Sequence, residues 1–173
     1  MKKIFLVSLV MVLALSMFSA SGVTRASADE SKMLEFNSMS GVPRPYTGAT
    51  NAIRGVPGGG LPWVIEFGKG KVSPEGDVNV LVKGLVIDPN DPAAIAAGRG
   101  GTNPSPTFKV IVSCLSRDGS GAPTTVNVST GLFPADAEGN AHIKDSVALP
   151  SPCIAPLVFV TSAGGAWFAA TGF

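Results

Sequence analysis

Three oxygen-bearing side chains lie close together in the stretch DPNDP, namely Asp88, Asn90 and Asp91. Carboxylate and amide oxygens are the ligands that calcium prefers. The order of residues differs from an EF-hand loop, however, and Asp-Pro and Asn-Asp pairs are also typical of turns and of helix caps. We therefore interpret the cluster as a turn that leads into a helix, with calcium binding as the alternative.

His142 is the only histidine of the chain. A serine hydrolase would need it as the general base of a triad, and the chain has no G-x-S-x-G motif for the nucleophile. A zinc site would need three or four nitrogen or sulfur ligands. We predict no catalytic residue, no metal ligand and no cofactor, and we interpret His142 as a surface residue of a strand.

The stretch GVPGGGLPW, from Gly55 to Trp63, has the glycine content of a phosphate-binding loop. Such a loop also needs a lysine and a following helix, whose amide groups hold the phosphates. Here Gly60 is followed by Leu61, Pro62 and a predicted strand. We therefore expect the glycines to form a tight bend and Trp63 to pack at the start of the strand.

The aromatic residues Tyr46, Trp63 and Trp167 allow two interpretations. Secreted β-sandwich modules often bind sugars on an aromatic platform. Trp167, however, alternates with Ala169 and Phe173, which is the spacing of a face that points into a core. We favour a core position for both tryptophans.

From Trp63 onward, apolar and polar residues alternate with a period of two, which is typical of strands. In DVNVLVKGLVI, for example, the valines at positions 78, 80 and 82 share one face, and Gly84 indicates a bulge or a close backbone approach. About seven such segments are separated by turn sequences such as SPEG and DAEGN. The pattern predicts an all-β fold, a single antiparallel β-sandwich of the immunoglobulin type or a related one, which we assign to residues 63–173.

One short helix is predicted in a loop of this domain, in the stretch DPAAIAAG. Asp91 is expected to cap it, Pro92 to begin it and Gly98 to end it. The whole excursion from Asp88 to Pro106 is long for a compact β domain, and such connections are often functional. We predict partner contact here, with an inert cover of a sheet end as the alternative. The candidate residues are Asp88, Asn90, Asp91, Arg99 and Asn103.

The first 28 residues have the features of a signal peptide. Lys2 and Lys3 precede an apolar run, and Ala26-Ser27-Ala28 matches the small residues that signal peptidase recognises. The run is shorter than the about 18 residues of a typical membrane span. We predict cleavage before Asp29, with an uncleaved anchor as the alternative. The segment 29–62 is expected to be extended and rich in Gly and Pro.

Cleavage would change the charge of the protein. Three of its 13 Lys and Arg residues lie in the signal peptide, and none of its 12 Asp and Glu residues does, so the mature charge is about −2. No basic run remains in the sequence. We therefore expect no binding to nucleic acid.

The two cysteines, Cys114 and Cys153, both remain after cleavage. An isolated pair in an exported chain is most simply one disulfide, and the spacing does not match a C-x-x-C redox or zinc motif. We predict a Cys114–Cys153 bond, with two free buried thiols as the alternative.

Several motifs together resemble a set of small secreted bacterial proteins of actinobacterial type. They are NAIRGVPGGGLPWVI, NPSPTFKVIVSC, the segment VALPSPCIAPLV with its cysteine, and the terminal WFAATGF. The resemblance covers residues 51–173. It implies secretion and an all-β domain, and it carries no assigned activity and no catalytic residues.

These observations favour a secreted bacterial protein without catalytic activity, which binds a protein or glycan partner through its loops. The alternative is a structural protein of the cell envelope or exterior. A secreted hydrolase ranks last because no nucleophile–base pair or metal cluster is visible in the sequence.

Overall fold

The computed structural model describes residues 32–171 of the chain. The predicted signal peptide and Phe173 lie outside the described residues. The strands are β1 (Leu34–Phe36), β2 (Ser40–Gly41), β3 (Trp63–Val64), β4 (Phe67–Val72), β5 (Asp77–Lys83), β6 (Val86–Ile87), β7 (Thr107–Arg117), β8 (Pro123–Ser129), β9 (Phe133–Pro134), β10 (Ala141–Ser146), β11 (Ile154–Thr161) and β12 (Trp167–Ala170), and α1 spans Pro92–Ala96.

The strands form two main antiparallel sheets. Sheet A has the order β1-β4-β5-β10, and sheet B has the order β2-β12-β11-β7-β8, with β9 also pairing with β7. A small ribbon joins β3 to β6. The predicted all-β fold is confirmed, and the two sheets share one hydrophobic core as in a sandwich.

The core forms because alternate residues of each strand face inward. Sheet A contributes the three valines of β5, and sheet B contributes the inward face of β7, on which Phe108, Val110, Val112 and Cys114 are fully buried. Apolar burial of this kind is the main favourable term in folding. The alternation read from the sequence therefore identifies the core face of both sheets.

Glycines end two of the predicted segments. Gly76 closes the turn between β4 and β5 by donating its N–H to the Ser73 carbonyl at 3.1 Å. The alternating segment 77–87 is divided at Gly84, whose φ of +62° suits glycine. The close approach predicted there is to Glu66, since a Cβ at position 84 would lie 2.7 Å from the Glu66 Cβ. After Gly84 the chain leaves sheet A and pairs with β3 instead.

The N-terminal segment is not separate from the β domain. β1 pairs with β4 at the edge of sheet A, and β2 pairs with β12 at the edge of sheet B. Strand pairing therefore crosses the boundary that the sequence suggests at residue 63, and residues 32–62 belong to the same fold. Residue propensities do not predict these two short strands, because the segment has few β-branched residues and many Gly and Pro residues.

Residues 43–60, which we call the covering loop, pack against sheet B. Gly59 donates its N–H to the Trp167 carbonyl, and Trp167 donates its N–H to the Pro57 carbonyl, each at 2.8 Å. The Arg54 guanidinium bonds the carbonyls of Ser113 and Ala155 at 3.0 and 2.8 Å. With this loop against it, all of β12 is buried, rather than one face only.

The predicted disulfide is present. Cys114 of β7 is bonded to Cys153, just before β11, with the two Cα atoms 4.9 Å apart. The strands β7 and β11 are also hydrogen-bonded neighbours. The bond therefore fastens two strands of sheet B that are 39 residues apart in the chain.

Asp145 lies on the side of β10 that also carries the buried residues Ala141 and Ile143. Its carboxylate accepts hydrogen bonds from the backbone N–H groups of Gly131 and Ser146, at 2.8 and 2.9 Å. The bond from Gly131 is the main reason that the pKa of Asp145 lies below its ordinary value. A half-buried charge at this position is thus stabilised by backbone donors.

Within residues 32–171, no helix has both the length and the apolar character required to cross a membrane.

Candidate functional site

Asp91, a predicted site residue, has both carboxylate oxygens engaged inside the molecule. Oδ1 accepts the N–H groups of Ala93 and Ala94 at 3.0 Å, which makes Asp91 the N-cap of α1 as predicted. Arg44 donates to Oδ2 from Nε at 2.9 Å and to Oδ1 from Nη2 at 3.0 Å. The Arg44 hydrogen bonds are the main cause of a lowered pKa of Asp91. This carboxylate joins the start of the covering loop, at Arg44, to the helix.

Asp88 and Asn90 form the turn before the helix. The Asn90 N–H donates to Asp88 Oδ1 at 2.8 Å, and the Asp88 N–H donates to the Pro62 carbonyl at 2.9 Å. Among residues 32–171, no group of three His, Cys, Asp or Glu side chains is placed to hold a metal ion. The interpretation as a turn and a helix cap accounts for the contacts of both residues.

Asn103 and Arg99 differ sharply in their surroundings. Asn103 is 7% exposed, and its amide donates to the carbonyls of Ser105 and Asp136 and accepts from the Ser105 N–H. Arg99 is exposed. The structure therefore engages Asn103 and Asp91 in internal contacts. Partner contact through the loop that holds all five candidate residues stays a prediction.

The glycine-rich stretch uses its backbone amides for internal contacts. The N–H of Gly58 donates to the Gly48 carbonyl at 2.9 Å, and that of Gly59 to Trp167. A Cβ at position 58 would overlap the Tyr46 carbonyl oxygen. A phosphate would have to compete with these bonds for the amides, so the contacts agree with the interpretation as a structural bend.

Both tryptophans lie in the interior. Trp63 is 5% exposed and stacks on Phe168 with ring centroids 3.8 Å apart, and Trp167 is fully buried beside Phe159. Tyr46 is 36% exposed. The two tryptophans therefore provide packing, as expected, and do not form a surface platform.

The outward face of sheet A carries a groove that the sequence analysis did not identify. Residues that alternate with the core valines line a cavity of about 750 Å³ across β1, β4, β5 and β10. A second cavity of about 490 Å³ adjoins it beyond β10, and both are lined by Leu81 and His142. We call the two together the sheet A groove. Its lining includes Phe36, Lys69, Lys71, Asn79, Leu81, Lys83 and His142.

His142 lies in the middle of this groove, on the outward face of β10. Its Nε2 atom is 2.8 Å from Asn79 Oδ1 on the neighbouring strand β5. The histidine is exposed, which agrees with its interpretation as a surface strand residue. The pair places an amide and an imidazole where a ligand's hydroxyl groups could hydrogen bond.

The sequence does not predict the groove, and the reason is physical. Its polar residues alternate with the valines of β5, so the sequence identifies them as outward-facing. The pairing of β5 with β10, which brings His142 beside Asn79 and Leu81, joins segments about 60 residues apart. Nothing local in the sequence specifies that pairing.

Comparison of the chain with known protein families, with curated proteins and with solved structures finds no match. The resemblance to small secreted bacterial proteins therefore stays a prediction.

Proposed function

We propose that this chain is a secreted, non-catalytic β-sandwich domain of a bacterium that binds an extracellular partner in the sheet A groove. The observation that carries the proposal is the groove itself. It crosses four strands and exposes hydrogen-bonding, cationic and apolar side chains together. Concave sites with a few convergent polar groups are the usual form of a binding site.

The strands below the groove are a suitable support for such a site. β4 and β5 pair over six residues, and β5 and β10 pair over six more. Side chains on paired strands are held more rigidly than side chains on loops, which lowers the entropy cost of binding. This placement differs from the loop that the sequence suggested, where Asp91 and Asn103 serve internal contacts.

Export is supported by two features. The first 28 residues have the pattern of a signal peptide, and the disulfide is typical of proteins that fold in an oxidising compartment.

The test is to block the groove. Leu81 lies on its floor, so Leu81→Trp should fill it, while Leu132→Trp places the same side chain at a leucine that is 53% exposed and outside the lining. The mature protein, residues 29–173, and both variants are applied to a glycan array and to cell-envelope fractions. We expect the parent and Leu132→Trp to bind the same ligand, and Leu81→Trp to have lost this binding. Equal binding by all three proteins would refute a role for the groove.

A further inference from the structure

Four lysines lie on the outward face of sheet A, although the sequence contains no basic run. They come from three strands, where they occupy the positions that alternate with buried residues. Two are on β4, one is on β5 and one is on β10. We call this set the lysine face, and its members are Lys69, Lys71, Lys83 and Lys144.

The lysine face is positive, whereas residues 29–173 as a whole carry an excess of acidic side chains. Residues 29–173 contain ten Lys and Arg residues against 12 Asp and Glu residues. The outward positions of the four strands of sheet A hold these four lysines against two carboxylates, Asp77 and Glu35. Glu35 is paired with Lys32 at 2.8 Å and lies opposite Lys71, and Asp136 lines the second cavity. Such segregation of charge raises the local concentration of an anionic ligand and its rate of association.

The register spaces the charges along the groove. Lys69 lies opposite Leu81, and Lys83 lies two residues beyond Leu81 on the same strand. Adjacent strands are about 4.8 Å apart, so four strands span about 14 Å. The adjoining cavities cross that whole width. This shape is suited to a linear chain of several units and is larger than a single small anion requires.

The remaining side chains of the groove indicate the chemistry of that chain. Asn79 and His142 can hydrogen bond hydroxyl groups, and Leu81 offers apolar surface between them. Phe67, which is 37% exposed and lies opposite Lys83, adds an aromatic ring next to the groove. Lys69 Nζ lies 5.7 Å from the centroid of Phe67, so a cation and an aromatic ring occur side by side. Hydroxyl groups, apolar sugar faces and regularly placed anionic groups occur together in acidic polysaccharides.

We propose that the lysine face and the sheet A groove bind a linear anionic glycan, whose sugars or polyols carry carboxylate or phosphate groups. This inference rests on the proposed function, because it names the ligand class of the same groove. Lysine recognises both anions as a point charge and so accepts either source.

The experiment compares two pairs of charge removals. Lys69→Gln with Lys83→Gln removes two cations from the groove, and Lys109→Gln with Arg117→Gln removes two from β7, outside the groove lining. Binding to polygalacturonate and to a poly(glycerol phosphate) is measured by calorimetry, with pullulan as a neutral glycan and poly(dT) as a nucleic acid. Thermal unfolding of each variant is recorded to confirm that it is folded.

We expect the parent to bind at least one of the two anionic polymers more tightly than pullulan and poly(dT). The groove variant should lose about tenfold in affinity and the control variant less than about twofold. Binding should also weaken between 0.1 and 1 M salt, where the Debye length falls from about 10 Å to about 3 Å.

Three results would overturn the inference. The first is that the parent binds neither anionic polymer. The second is that both double variants lose the same affinity relative to the parent. The third is that the parent binds poly(dT) more tightly than either anionic polymer. If pullulan binds instead and Leu81→Trp abolishes that binding, the anionic ligand is wrong and the proposed groove function stands. If polygalacturonate binds Leu81→Trp and the groove variant as tightly as it binds the parent, both proposals fail.

Discussion

Alanine at Gly58 should strongly destabilise the protein, whereas alanine at Gly60, two residues away, should have little effect. Gly58 is buried in the covering loop, and a Cβ there would overlap the Tyr46 carbonyl oxygen and lie 3.1 Å from Val42 Cγ2. Gly60 is exposed and has no atom within 4 Å of the corresponding position. Neither glycine has a left-handed φ, so the comparison isolates the steric effect.

The expected loss in the free energy of unfolding follows from the contacts that the covering loop would lose. A clash with a backbone carbonyl cannot be relieved by a change of rotamer, so the chain around Gly58 must move. That movement breaks the bonds from Gly58 to Gly48 and from Gly59 to Trp167, at 2.9 and 2.8 Å. Overpacking costs about 1–3 kcal/mol, and two lost hydrogen bonds add about 1 kcal/mol each, so we expect about 3–5 kcal/mol.

The assay is thermal and urea unfolding of the oxidised mature protein, followed by circular dichroism. A chain of this size loses roughly 3–4 °C of Tm per kcal/mol, so Gly58→Ala should lower Tm by about 10–20 °C. Gly60→Ala should stay within about 0.5 kcal/mol of the parent. A Gly58→Ala protein within about 1 kcal/mol of the parent, or an equal loss in both variants, would show that the loop does not pack as described.

Three further predictions concern other parts of the fold. Asn103→Ala should lower the free energy of unfolding in urea by about 2–3 kcal/mol, because backbone groups of Ser105 and Asp136 lose their hydrogen-bond partner. Arg99→Ala should leave the free energy of unfolding unchanged, and the opposite order would contradict the internal contacts of Asn103. Replacing Cys114 and Cys153 by Ser should cost about 3–4 kcal/mol through the 39-residue loop that they close, and an unchanged urea midpoint would refute this. The lowered pKa of Asp145 means that its stabilising contribution is complete above the ordinary value of 3.8 and is lost as pH falls through the lower folded value. Asp145→Asn should therefore reduce the acid dependence of the urea midpoint, and an unchanged slope would show that the carboxylate is not stabilised by folding.

The sequence predicts those features of the fold that depend on local pattern. Alternation identifies the inward face of β5, and the order Asp91, Pro92 specifies the start of α1, because a cap and a helix opening are decided by neighbouring residues. The disulfide was also predictable, since a chain with one pair of cysteines has one possible intramolecular bond. The first two features depend on neighbouring residues, and the disulfide follows from the number of cysteines.

The features that depend on strand pairing were not predictable in the same way. The sequence shows that Asn79 and His142 face outward, but only the pairing of β5 with β10 places them 2.8 Å apart. The lysine face has the same origin, because its four members are scattered over 76 positions in the chain. The bond between Arg44 and Asp91 joins residues 47 positions apart, so this internal contact of a candidate site residue also could not be predicted from local sequence.

The pairing of β2 with β12 has a consequence for the order in which the protein can mature. Gly41 lies opposite Ala169, 128 residues further along the chain, so one edge of sheet B cannot form until the last described strand has been made. Contacts of such long range are slow to form because the entropy of closing the loop must be overcome first. For a chain that is exported as proposed, this delay favours passage through the membrane as an unfolded polypeptide, with folding and oxidation completed together on the far side.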